Sequence, residues 1–142
     1  MKKKIFALIV ALSFAVSLMA PTFASAFAVR IRADIPFDFM VGSKRLPKGE
    51  YVIESVNESG TLTIRNAKKC KAVSFMVVRG KMMDKPKSKL VFHRYGEQYF
   101  LARVWDGSSD TILKLDKSKT EKRVAKQANK ENNPDEVPVT DK

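Results

Sequence analysis

Cysteine, histidine and tryptophan each occur once in the 142 residues of this chain, as Cys70, His93 and Trp105. A single cysteine excludes an intramolecular disulfide, so stability has to come from an apolar core. Free cysteines are among the most buried residues, and Cys70 opens a strand-like run; it is read as packed and inert, with an intermolecular disulfide the lesser alternative. Zinc needs several Cys or His ligands, and one of each cannot supply them. Asp106-Gly107-Ser108-Ser109-Asp110 offers oxygen ligands but lacks the alternation and terminal Glu of an EF-hand loop, so an ordinary turn is expected there. No glycine-rich phosphate loop of the Walker or dinucleotide type occurs, and there is no internal repeat. The sequence therefore predicts neither a metal site nor a cofactor.

Long apolar runs are confined to the first residues. Lys2, Lys3 and Lys4 precede an apolar stretch from Ile5 to Ala20, and Ala24-Ser25-Ala26 supplies a small-x-small cleavage site. This is the pattern of a secretory signal peptide over residues 1–26, and the run is shorter than the ~20 residues a membrane span needs. No cysteine follows it to take a lipid. Export by the general secretory route to the periplasm or beyond is expected, with no transmembrane segment after processing. Removal of residues 1–26 leaves 116 residues, one domain's worth, and lowers the formal net charge from +12 to +9.

That positive charge biases the exported protein toward anionic partners: phospholipid headgroups, acidic polysaccharide or nucleic acid. Nine Lys and Arg side chains fall between Arg65 and Lys89, with Asp84 the single acid among them. Within this stretch Arg79, Lys81, Lys85, Lys87 and Lys89 are expected on one exposed loop with Met82 and Met83, a candidate site for an anionic envelope surface, polymer or protein partner. Solvated charge without a dedicated partner is the competing reading. Nucleic acid is not expected, because sheet-based readers interleave such charge with stacking aromatics and this stretch holds only Phe75.

Residues 29–115 read as short strands separated by turns, the pattern of a small antiparallel barrel or sandwich. Val29 to Ile35 alternates apolar and charged residues. Phe37-Asp38-Phe39 places a solvent-facing acid between two core aromatics, and Gly42-Ser43 turns the chain. Leu46-Pro47-Lys48-Gly49 fits a type I turn leading into Glu50 to Val56. Thr61 to Arg65 alternates again, and Asn66 to Lys69 forms the next turn. Val73 to Val78 is apolar on both faces, which predicts a central strand covered on both sides. Tyr95-Gly96-Glu97-Gln98 suits a type II′ turn, which sets Arg94 opposite Tyr99, His93 opposite Phe100 and Phe92 opposite Leu101. Thr111 to Leu115 can form a last strand. The β domain is thus expected over residues 27–116.

Ser118-Lys119-Thr120-Glu121 is a capping-box pattern and predicts a helix within residues 117–129. Its apolar face is only Val124, Ala125 and Ala128, too little to hold it without docking. From Lys130 onward, polar composition with Pro134 and Pro138 predicts a disordered tail over 130–142.

Catalysis has a thin inventory. A Ser-His or Cys-His hydrolase needs a histidine base, and His93 sits mid-strand with Cys70 on another strand. Nothing fixes the separation of the carboxylates of Asp34, Asp38, Glu50 and Glu54 that glycoside hydrolysis would need. No catalytic residue is assigned. The leading expectation is an exported, non-enzymatic binding domain; a small periplasmic hydrolase using His93 is the alternative.

Pro36-Phe37-Asp38-Phe39, Leu46-Pro47-Lys48-Gly49-Glu50-Tyr51, Leu90 to Gly96, Tyr99-Phe100-Leu101 and Ser118 to Glu121 occur in that order. In this order the chain resembles a group of short secreted proteins of environmental Gram-negative bacteria to which no function is assigned. The resemblance implies an exported β-rich domain and transfers no catalytic residue.

Overall fold

The alternation after Val29 becomes a strand with one dry face. In β1 (Phe27–Ile35), Ile31, Ala33 and Ile35 are buried while Arg30, Arg32 and Asp34 are exposed or edge the solvent. The computed structural model describes residues 27–56, 60–69, 71–81, 87–105, 107, 111–130 and 135–140. The signal-peptide segment, Cys70 and Lys85 lie outside the described residues.

β4 (Gly49–Val56), β5 (Thr61–Asn66) and β6 (Ala72–Met76) continue from β1 as an antiparallel four-stranded sheet in the order β1-β4-β5-β6. Ile31, Ile53, Ile64 and Val73 form one row across its inner face. The second sheet has the order β11-β8-β9-β10-β7. It consists of β7 (Val78–Lys81), β8 (Lys89–Tyr95), β9 (Gln98–Trp105), β10 (Thr111–Lys114) and β11 (Asp135–Thr140). β2 (Phe39–Val41) runs parallel to β9 at Met40 and Phe100 and pairs with β3 (Lys44–Leu46). The inner faces of the two sheets enclose one apolar cluster, so the protein is an all-β sandwich rather than a closed barrel.

The β8–β9 hairpin has the register its turn implies: Arg94–Tyr99, His93–Phe100 and Phe92–Leu101 are partners. Gly96 sits at φ +62°, the positive angle required at the first central position of a II′ turn. A register shift between Val91 and Phe92 then puts Leu101 and Val104 both in the core cluster, although they are three residues apart. Gly42 also needs its positive φ of 59°; a Cβ there would press on the Phe75 ring at 3.2 Å, so the β2–β3 turn packs tightly on β6.

Two expectations are corrected by this architecture. Val73 to Val78 is not a central strand. It ends one sheet as β6 and begins the edge of the other as β7, changing sheets at Val77. Val73, Phe75 and Val77 turn inward, whereas Met76 is 86% and Val78 54% exposed. Two-faced hydrophobicity here marks an apolar outer face left in solvent. Residues 135–140 are likewise not a disordered tail. They form β11 on the open edge of β8, where Val137 opposite Phe92 and Val139 opposite Leu90 pack against the core. The unpaired backbone groups of β8 supply the driving force that polar composition conceals. Pro138 is tolerated because β11 is itself an edge strand.

The helix α1 (Lys119–Gln127) starts at Ser118, whose hydroxyl accepts from the Glu121 N–H at 3.1 Å. It docks on the outer face of the second sheet through Ala125, which packs with Tyr95 and Phe100.

Phe92 has no exposed surface and receives edge contacts from Phe37 at 5.1 Å and Phe39 at 5.5 Å. Phe92→Ala should lower unfolding stability by about 3–5 kcal/mol. Urea midpoints of variant and wild type at equal m-value measure this; a loss below 1 kcal/mol would show that the core is not continuous there.

Candidate anion-binding face

The outer face of the four-stranded sheet is a grid whose rows follow from register. Arg30, Glu54, Thr63 and Ser74 form one row, and Arg32, Val52, Arg65 and Ala72 the next. Glu54 lies 3.3 Å from Arg30 and 3.5 Å from Arg65, and Glu50 lies 3.8 Å from Arg32. The arginines are about half to two-thirds exposed, so such pairs add little stability. Their effect is to hold three guanidinium groups around Val52.

The turn after β5 completes this group. The Asn66 side-chain oxygen accepts from the Lys68 and Lys69 backbone N–H groups at 3.0 Å each, which makes the turn expected over Asn66 to Lys69 an Asx turn. Ala67 N–H donates to the Glu50 carbonyl at 2.9 Å and fastens the turn to β4. Lys68 and Lys69 are exposed, and their ammonium groups make no ion pair among the described residues. A depression of about 270 Å³ results, bounded by Arg30, Arg32, Arg65, Lys68 and Lys69 with Val52 in its lining. Five cations face two carboxylates, Glu50 and Glu54, so the local charge is strongly positive.

On the other side of the same turn lies a second depression of about 240 Å³. Leu46, Pro47, Tyr51 and Ile64 line it, with Arg45, Lys69 and Lys71 around them. Arg45 is held by Asp38 at 3.1 Å, and Asp38 also accepts from the Lys48 N–H at 2.9 Å. The Lys48 N–H first, and then the Arg45 guanidinium, hold the Asp38 carboxyl below its ordinary range. Asp38 is thus the solvent-facing acid expected between Phe37 and Phe39, and it ties the segment before β2 to β3 and to the β3–β4 turn. A third depression of about 390 Å³, near Asp38, Arg45, Glu97 and Tyr99, mixes both signs of charge.

The basic residues singled out by sequence occupy a different place. Arg79 and Lys81 belong to edge strand β7, and Lys89 opens β8, with β9 and β10 between those strands. Lys87 is exposed just before β8, and Lys85 lies outside the described residues. They are therefore not one loop. Lys81 opposes Thr111, and Lys89 opposes Trp105, at the end of the second sheet remote from the β8–β9 turn. That turn borders Tyr99, which stacks on Phe37 at 3.9 Å just beyond β1. The Asn66 turn lies at this same end, so the basic stretch 65–89 is divided between opposite ends of the sandwich. Sequence reading missed the contribution of Arg30, Arg32 and Arg45. The outward alternation Arg30-x-Arg32 was a visible signal, but its neighbours across β4 were not.

His93 lies under α1. Its Nδ1–H donates to Glu121 Oε1 at 2.7 Å, and the Tyr95 hydroxyl donates to the same oxygen at 3.2 Å. Glu121 is 4% exposed. The capping box is thus half formed: Ser118 caps the helix, but the Glu121 carboxylate turns to the sheet instead of back to the Ser118 N–H. The Glu121 oxygen shared by His93 and Tyr95 ties the helix to the outer face of β8. The arrangement docks the helix.

Comparison of the chain with protein-family models, with curated proteins and with solved structures finds no match.

Burial first, then the Glu121 charge and hydrogen bond, push the Tyr95 hydroxyl well above the usual phenol range. The unfolded chain releases this proton near pH ~10 and the folded chain only at higher pH. The associated stability is whole below about pH 10 and declines as pH rises beyond it. Urea midpoints at pH 8 and pH 11 should fall further for the wild type than for Tyr95→Phe. Equal falls would show that the hydroxyl ionises freely in the folded state.

Proposed function

We propose that this protein is an exported, non-enzymatic domain that binds an anionic envelope component through the face around the Asn66–Lys69 turn. The observation that carries the reading is the convergence of Arg30, Arg32, Arg65, Lys68 and Lys69, from two strands and a turn, on one depression with two neutralising carboxylates. Charges held in one concave surface concentrate anions more effectively than the same charges scattered. Near an anionic bilayer each lysine or arginine contributes about 1 kcal/mol, decaying over a Debye length of roughly 8 Å at physiological salt. The leading expectation from sequence is retained, with its surface moved to the other end of the sandwich.

Sedimentation with vesicles containing phosphatidylglycerol tests this. Binding should weaken steeply between low and moderate salt. Replacing Arg32, Lys68 and Lys69 with Gln should lower affinity by at least tenfold without shifting the urea midpoint appreciably, since exposed charges contribute little to stability. Replacing Lys81, Lys87 and Lys89 with Gln should change it far less. The reverse ranking would place the surface at the β7–β8 end; no vesicle binding by the wild type at low salt would reduce both groups to solubilising charge.

A further inference from the structure

The two depressions beside the Asn66–Lys69 turn differ in chemistry, and their adjacency says more than charge alone. The first is bounded by cations on a polar sheet face. The second is floored by half-buried Leu46 and exposed Pro47, with the almost wholly buried Tyr51 and Ile64 behind them. Three of its polar groups are already engaged within the protein. The Tyr51 hydroxyl donates to the Pro47 carbonyl at 2.7 Å, and the Asn66 side-chain oxygen accepts two backbone N–H groups. Arg45 is paired with Asp38. What remains for a ligand is apolar surface below and two ammonium groups, Lys69 and Lys71, above, neither of them in an ion pair among the described residues. Lys69 and Asn66 line both depressions.

We propose that this end of the sandwich binds an amphiphilic anion: a phosphate-type headgroup held by Lys69, Lys71 and the neighbouring arginine-lined depression, with the first carbons of its hydrocarbon chain on Leu46 and Pro47. The proposal rests on the anion-binding reading and adds the apolar half of the ligand. A purely ionic ligand would use only the first depression and leave the second wet. A chain-bearing ligand removes apolar surface from water on both sides, at about fourfold in affinity for each methylene buried. Because Lys69 and Lys71 stand at the rim, the headgroup stays in contact with solvent and carries no desolvation cost of burial.

The test uses the full chain with hexyl phosphate below its micelle concentration, methyl phosphate, and hexanol, followed by amide chemical shifts. Hexyl phosphate should bind at least tenfold more tightly than methyl phosphate and shift the amides of Leu46, Ile64, Asn66 and Lys71. Hexanol alone should bind no better than methyl phosphate. Leu46→Gln, at a half-buried position, should abolish the chain advantage while leaving vesicle binding salt-dependent. Lys71→Gln should weaken hexyl phosphate with the fold intact. Equal affinities for hexyl and methyl phosphate, with vesicle binding preserved, overturn the amphiphile and leave the anion-binding face standing. Loss of vesicle binding by the wild type as well overturns both.

Discussion

Phe39 is the contact on which the rest of the sandwich depends. From β2 it meets Tyr51 of one sheet edge-on at 5.2 Å and Phe92 of the other at 5.5 Å, and it is almost wholly buried. Edge-to-face geometry sets the positive rim of one ring against the negative face of another and adds to the burial of apolar area. In a chain with a single cysteine, nothing covalent can replace this bridge. It also governs the surface. Tyr51, positioned by Phe39 on its ring, reaches Pro47 with its hydroxyl, and that bond shapes the turn which floors the apolar depression.

The C-terminal segment completes the second sheet in two ways. α1 covers part of its outer face, with Glu121 tied to both His93 and Tyr95; β11 covers the free edge of β8. Glu136 of β11 forms an ion pair with Arg103 of β9, reaching across the intervening β8. A buried carboxylate is costly unless hydrogen-bonded, and two donors on adjacent side-chain positions of one strand meet that need. His93 thereby helps to hold a short helix that its own propensity would not maintain.

Charge is distributed by topology and not by sequence order. The stretch from Arg65 to Lys89 passes through β6 and β7, and the chain changes sheets on the way, so its two halves finish at opposite ends of the molecule. The half near Asn66 gains Arg30 and Arg32 through the β1–β4–β5 register and stands beside Arg45 on β3. The half near Lys89 is spread over strands separated by two others. The first half becomes a concave surface.

What the sequence determined by itself is local. Alternation marked the dry faces of β1, β4 and β5; Gly96 set the turn of the hairpin and with it the four partner pairs from Tyr95–Gln98 to Phe92–Leu101; Asn66 set its own turn; Ser118 set the start of the helix. Each depends on residues within a few positions, where backbone sterics and side-chain-to-backbone hydrogen bonds act alone. The sandwich closure, the edge placement of Val73 to Val78, the β11 strand, the diversion of Glu121 to His93, and the meeting of Arg30 and Arg32 with Lys68 and Lys69 were decided only by tertiary structure. These features join residues 28 or more positions apart or depend on which strand edge is left open. Their energy lies in contacts that form once the two sheets have found each other, so no short window of sequence contains it.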